Sequence, residues 1–404
     1  MTRMELTERL ERTHQRLQRF QECHEAQLSH TDRRWLHLAL HEVQRRRAEL
    51  SHPLHGRRTA PGTQGIVPRW QVTRQITRHA VQAMRSRAFS CVVHVGLLCL
   101  IYVSTAKLGL SLDAVSGFAT AVWPPTGLAL AALILGGFRL WPGIALGAFL
   151  VNLSAGAPLL VAGGMAVGNT LEALVGTWLL HRVVGFHPAL DRLRDVFGLV
   201  VLAGVLSTLL SATVGVTSGW LGGAIAATDV GQAWCTWWVG DLMGDLILAP
   251  LLLIWNGRMR LSSPRIGEAG ALLGAIVAVS LLLFGGLWGT TDPIDPYLLL
   301  PVLIWAALRF GTPGAVTATA IVSALAIWGT AQGFGPFARG TLHESLLLLQ
   351  AFMGIVAVTI LVLAAAISER TQANAARTHV ATMVVSAQDT ILGKTMEGRS
   401  YLPR

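Results

Sequence analysis

Charge is what this 404-residue sequence has least of. Asp, Glu, Lys and Arg together make up 13% of it, about half the share usual in a soluble domain. With 52% hydrophobic residues and a positive mean hydropathy, most of the chain has lipid as its solvent. Cysteine is scarce too. Cys23, Cys91, Cys99 and Cys235 form no CxxC pair, so their expected role is small apolar filler rather than redox or metal chemistry. No signal peptide is visible, because the first apolar run starts only near Ala88. The sequence also lacks a P-loop, a glycine-rich nucleotide loop, a nucleophile elbow and an H-E-x-x-H pair. No catalytic residue, metal site or cofactor is therefore expected, and an enzyme is the least supported class.

The charge that is present is unevenly placed. Residues 1–88 hold 17 arginines against eight acidic residues, which fits a cytosolic flank touching anionic lipid. No aromatic–basic interleaving accompanies it, so nucleic acid is not an expected partner. Residues 3–50 read as a polar helix with Leu6, Leu10, Leu17 and Phe20 roughly on one face, while Thr13 and His24 interrupt a coiled-coil heptad. The histidines of this region lack the spacing of a metal site, and 52–68 reads as a Gly/Pro/Arg linker. Arg69–Arg87 is a basic, amphipathic approach to the membrane.

From Phe89 onward the apolar segments are 89–110, 119–137, 140–158, 163–181, 196–219, 233–255, 270–288, 296–309, 313–330 and 345–367. A span needs about 20 residues. The eighth is short and the second and third are tight, so the expected fold is an all-α polytopic transmembrane bundle of eight to ten spans. With the first end inside, the inner loops carry Arg139, Arg182, Arg192, Arg194, Arg258, Arg260, Arg265 and Arg309, and the outer side only Lys107 and Arg339. Eight against two places both termini in the cytoplasm of a multi-pass inner-membrane protein. The domains are then 1–88, a basic helical extension and linker; 89–367, an integral membrane domain; and 368–404, a cytoplasmic tail whose Ile367–Met383 leaves the membrane as a helix.

Ionisable groups inside spans cost about 2.5–3.5 kcal/mol each at the centre on insertion scales, so each is informative. Glu172 lies mid-span with Asn169 one turn before it, and Asp241 and Asp245 lie four apart on one helix face. No intramembrane Lys or Arg neutralises them. They are protonated, share protons, or face a wet cavity or bound cation. Two readings stay open: a centre that binds a small ligand, proton or ion, or interhelical hydrogen bonds that hold the bundle together. Pro124-Pro125 breaks the second span, and a broken helix frees carbonyls that can line a site. Trp123 beside it and Asn152 complete the candidate ligand-binding set of Asn169, Glu172, Asp241, Asp245, Asn152 and Trp123. A kink and a helix-end hydrogen bond are the plainer readings of the prolines and Asn152. Trp123, Trp141, Trp220, Trp234, Trp237 and Trp238 fit an interfacial belt. The Gly164–Gly168 and Gly240–Gly244 spacings fit close helix packing.

The run Val122-Trp-Pro-Pro-Thr-Gly-Leu-Ala-Leu-Ala-Ala-Leu is followed by Gly137-Phe-Arg-Leu-Trp-Pro-Gly-Ile-Ala-Leu-Gly-Ala-Phe-Leu-Val-Asn152. Gly168-Asn-Thr-Leu-Glu172 and Trp237-Trp-Val-Gly-Asp-Leu-Met-Gly-Asp-Leu-Ile-Leu-Ala-Pro250 come next. Taken in this order, over roughly 90–370, they resemble the bacterial membrane-associated sensor domain of the first MASE class. The resemblance implies an integral membrane sensor module that sits before PAS, histidine kinase or diguanylate cyclase domains. It also implies two-component or cyclic-di-GMP signalling, and a cytoplasmic output domain as partner, fused or in trans. Asp389-Thr-Ile-Leu-Gly-Lys-Thr-Met-Glu-Gly resembles a PAS opening that does not continue, so the expectation is a sensor lacking its output domain. Dimerisation is expected by analogy with kinase-type and cyclase-type sensors. The competing expectations are a secondary transporter or channel for a small solute or cation, favoured by the central acids and the broken span, and a ligand-free membrane scaffold.

Overall fold

The computed structural model describes residues 69–111, 121–256, 263–286, 295–338 and 341–396, with a few helical positions between 11 and 45. Leu6, Leu17, Phe20, His24, the 52–68 linker and Arg339 lie outside the described residues. Those described after residue 68 form nine helices and no strand: α1 (Arg69–Ser111), α2 (Pro124–Gly136), α3 (Trp141–Ser154), α4 (Leu159–Val184), α5 (Leu193–Leu221), α6 (Val230–Trp255), α7 (Ser263–Phe284), α8 (Pro296–Ala331) and α9 (Leu342–Met396). The all-α polytopic architecture follows directly, since seven of these are long and apolar enough to cross a membrane.

The remaining two, α2 and α3, have 13 and 14 residues. They rise only about 20 Å against a hydrocarbon core of about 30 Å. Pro124-Pro125 does not break a longer helix here; it starts one. Proline at the first helical positions loses no hydrogen bond, because those N–H groups have no intrahelical partner. The non-helical backbone before it is satisfied by protein. The Trp123 N–H donates to the Gly240 carbonyl at 2.9 Å, and Gln350 Nε2 donates to the Ala121 carbonyl at 3.2 Å. Irregular backbone within a membrane requires such partners.

Helix α8 holds two of the expected segments. Gly311 (φ 61°, ψ −151°) breaks it, and Pro313 follows. Arg309, just before the break, pairs with Glu268 near the start of α7, yet the turn at Pro296–Leu299 also packs on α7. A straight helix would carry Pro296 about 20 Å away from Arg309, past the beginning of α7. The arms therefore fold back on each other, and Gly329 in the second arm meets Phe284 at the far end of α7. The ten apolar segments read from the sequence are thus all helical among the described residues, but they make seven helices long and apolar enough to cross a membrane, against eight to ten expected spans.

One apolar core joins α6, α7, α8 and α9 around Phe284, Leu303, Val322 and Met353. Another joins α1 to α4 around Tyr102, Leu133, Ile144 and Ala173. The outward side of α1, with Leu97, Leu100 and Leu108, stays exposed as a lipid-facing surface does. The boundaries expected at 88/89 and 367/368 fall inside α1 and α9, which run through them without a break. Asp389–Met396, the start of the PAS-like stretch, continues α9 as helix.

Candidate functional site

The site is built where α2, α4, α5 and α6 meet. Asp241 and Asp245 lie one turn apart on α6, Glu172 comes from α4, Ser211 from α5 and Thr126 from the first turn of α2. Small residues let these helices approach closely. A Cβ on Gly168 of α4 would meet the Ser211 carbonyl at 3.2 Å and Gly215 N of α5 at 3.4 Å, and one on Gly164 would collide with Ser218. The Gly164–Gly168 spacing is thus a packing feature. On α6, a Cβ on Gly244 would strike the Trp123 carbonyl, and one on Gly127 the Gly244 carbonyl. The start of α2 is pressed against α6 at the level of the two aspartates.

The polar contacts follow from that approach. The Thr126 hydroxyl donates to Asp241 Oδ1 at 2.8 Å. Trp237 Nε1 donates to Ser211 Oγ at 3.1 Å. Glu172 reaches both Ser211 and the Asp241 carboxyl, and Tyr102 lies within electrostatic reach of Glu172 and Asp241. All three acids are at most 2% exposed. Asn169 Oδ1, Glu172 Oε1, Asp241 Oδ2 and Asp245 Oδ1 are buried without a hydrogen-bond partner. Among the described residues, no Lys or Arg is buried. The centre is closed off by protein, and these four side-chain oxygens are left without a hydrogen bond. Such a state is costly and calls for a reason. The helix bearing the aspartates departs from α geometry at this point: Gly244–Leu248 is a π turn, a feature frequent at functional sites.

Of the six candidate residues, Glu172, Asp241 and Asp245 converge. Asn169 is buried on the same helix as Glu172, its Nδ2 donating to the Met165 carbonyl at 2.8 Å. Trp123 contributes its backbone, docked on Gly240 and Gly244. Asn152 donates to the Ala148 carbonyl within its own helix at 2.8 Å, in the last turn of α3, and does not join the acids. Thr126, Ser211 and Trp237 were not singled out as site residues from the sequence. Trp237 could have been, since it lies one turn before Asp241 on the same face. Part of the tryptophan set also serves helix packing. Trp234, Trp237 and Trp238 donate to Thr213, Ser211 and the Val205 carbonyl, and Trp234 stacks on Trp238 at 5.7 Å. These three tie α6 to α5. Among the described residues no three His, Cys, Asp or Glu side chains are arranged to hold a metal ion.

The MASE1 family's sequence signature matches residues 94–371, nearly all of the apolar helices and every residue of this site. The chain belongs to the MASE1 family. Members of this family are membrane-associated sensor domains found in diguanylate cyclases and histidine kinases. The chain is also similar to the probable diguanylate cyclase DgcE of Escherichia coli strain K12, 26% identical over 194 residues. That alignment covers 46% of this chain and 17% of DgcE, so the chain matches only a small part of that protein's length. No solved structure matches. The four motifs that carried the resemblance all fall inside the MASE1 match, and three of them supply elements of the site: Trp123 and Thr126, Asn169 and Glu172, and Trp237, Asp241 and Asp245.

Proposed function

We propose that this MASE1 domain senses a small ligand or ion through the buried centre of Asn169, Glu172, Asp241 and Asp245, and that it answers by moving α9. The observation that carries this reading is the convergence of three buried carboxyls from two helices, each with one oxygen left without a hydrogen bond and, among the described residues, no buried Lys or Arg. A purely adhesive network is expected to saturate its acceptors. An unsaturated one leaves room for a proton, cation or hydrogen-bond donor to bind one packing better than another, and that difference is what shifts a population. The closed centre makes ligand entry and helix movement the same event. Helix α9 carries the change out, since it runs unbroken from the apolar core to Met396. The output domain it addresses is of the diguanylate cyclase or histidine kinase type, fused or in trans. The setting is the inner membrane, with both termini cytoplasmic, and the chain itself performs no catalysis.

The test joins the chain to a diguanylate cyclase reporter and compares Glu172→Gln and Asp245→Asn with the parent. Both variants are expected to insert normally and to shift reporter output. Insertion with parental output would make the centre structural.

A second reading, a transporter for a small solute or cation, is favoured by one observation: α2 starts part-way along α6, at Gly240, beside buried acids. Half-helices of this kind line transporter sites. Flux across proteoliposomes carrying the purified chain decides it.

A further inference from the structure

Helix α5 touches the sensing centre at one point and the exit helix at another. Ser211 lies in the centre. Eighteen residues earlier, the Leu193 N–H that opens α5 donates to Glu369 Oε1 of α9 at 2.9 Å. Arg192, in the capping position, is extended and supplies no side-chain cap. The first turn of α5 is therefore capped by a carboxylate 176 residues away. One turn further along α9, Gln372 Nε2 donates to Asp191 Oδ2 at 2.7 Å.

The loop presenting these partners is held firmly. Asp195, fully buried, accepts from Arg192 Nε at 2.7 Å and from the His187 N–H at 3.2 Å. Leu190 adopts φ 50°, the left-handed region that a leucine avoids. It is fully buried, in the apolar cluster that also contains Phe186, Val196 and, from α9, Leu361 and Ala365. Between the loop and Ser211, α5 runs as a π-helix over Leu199–Ser207. A π stretch can tighten to α geometry and change the register of one end against the other.

We infer that Glu369, assisted by Gln372, is the latch through which α5 sets the position of the exit helix. A change at Ser211 alters the register of α5, the N-terminal turn moves, and the carboxylate that caps it carries α9 along. Glu369 is a positioning residue; it touches no part of the centre. The inference rests on the centre being the sensing site, but its test is separate.

The measurement is amide hydrogen exchange of the full chain in lipid nanodiscs, read by mass spectrometry. Glu369→Ala is expected to raise exchange in peptides spanning 193–196 and 366–376 by about tenfold, the effect of losing one charge-assisted cap. Glu369→Gln, which keeps the acceptor and the size, is expected to rescue most of it. Ser211→Ala, at the other end of α5, is expected to change exchange over 366–376 as well. The latch is overturned if Glu369→Ala leaves both segments protected. It is equally overturned if Ser211→Ala leaves 366–376 unmoved, for then the cap is merely local. Exchange coupled in this way alongside a parental response from Glu172→Gln and Asp245→Asn would keep the latch and discard the sensing centre.

Discussion

The Thr126 hydroxyl and Asp241 Oδ1, 115 residues apart in sequence, lie 2.8 Å from each other in the buried interior of the bundle. That bond fixes the first turn of α2 to the middle of α6, at the carboxyl that Glu172 of α4 also reaches. Thr126→Val keeps the shape and removes the donor. It is expected to cost about 1–3 kcal/mol, the penalty of a buried acceptor deprived of its partner, while Thr126→Ser restores most of it. Thermal unfolding of the purified chain in detergent, followed by circular dichroism, reads both. A Val variant as stable as the parent would show that Asp241 does not depend on this bond.

The approach of α2 to α6 makes a sharper prediction at glycine. Gly244 has the Trp123 carbonyl where a Cβ would stand. Backbone cannot move aside as a flexible side chain can, so Gly244→Ala is expected to destabilise by about 1–3 kcal/mol or more. Gly231, on the same helix, has nothing within 4 Å of its Cβ position, and Gly231→Ala is expected to be neutral or slightly stabilising. Folded yield after membrane extraction, together with the melting temperature, separates the two variants.

Gly311 is the turning point of α8, at φ 61° and ψ −151°, a region that essentially only glycine occupies. Gly311→Ala is expected to cost about 1–3 kcal/mol in strain, whereas Gly274→Ala, in open space on α7, lies inside a regular helix and costs nothing. The same unfolding measurement in detergent compares them. Equal stability would mean that the two arms of α8 do not depend on a left-handed residue at their junction.

Much of this was legible in the sequence because the membrane imposes simple rules. Apolar length located every segment, including the two arms of α8, and the cost of burying a carboxyl singled out Glu172, Asp241 and Asp245. What was not legible depended on which helix meets which. Ser211 and Thr126 are ordinary hydroxyls in apolar runs, and only the close packing of α4 on α5 and of α2 on α6 brings them to the acids. Pro124-Pro125 read as a break because the sequence shows the prolines but not that the helix begins at them. The tryptophans read as a belt because amphipathic rings suit an interface; only the packing shows that the indole N–H groups of Trp237 and Trp238 also bond to α5. The Leu193–Glu369 contact joins residues too far apart for any local pattern to announce it.

Orientation is the expectation with the most direct test, because it rests on the arginines alone. Helix α5 runs from the loop around Arg192 and Arg194 to the loop before Asp229. If arginines mark the inner face, the first loop is cytoplasmic and the second periplasmic. Ala189 and Thr228 are exposed residues in the two loops. In a background with the four native cysteines replaced by serine, Thr228→Cys is expected to react with a membrane-impermeant maleimide in spheroplasts. Ala189→Cys is expected to react only after permeabilisation. The reverse pattern would place the Glu369 latch and the long tail of α9 on the outer face, out of reach of any cytoplasmic output domain. The proposed signalling route would then be lost while the fold and the acid centre stood unchanged.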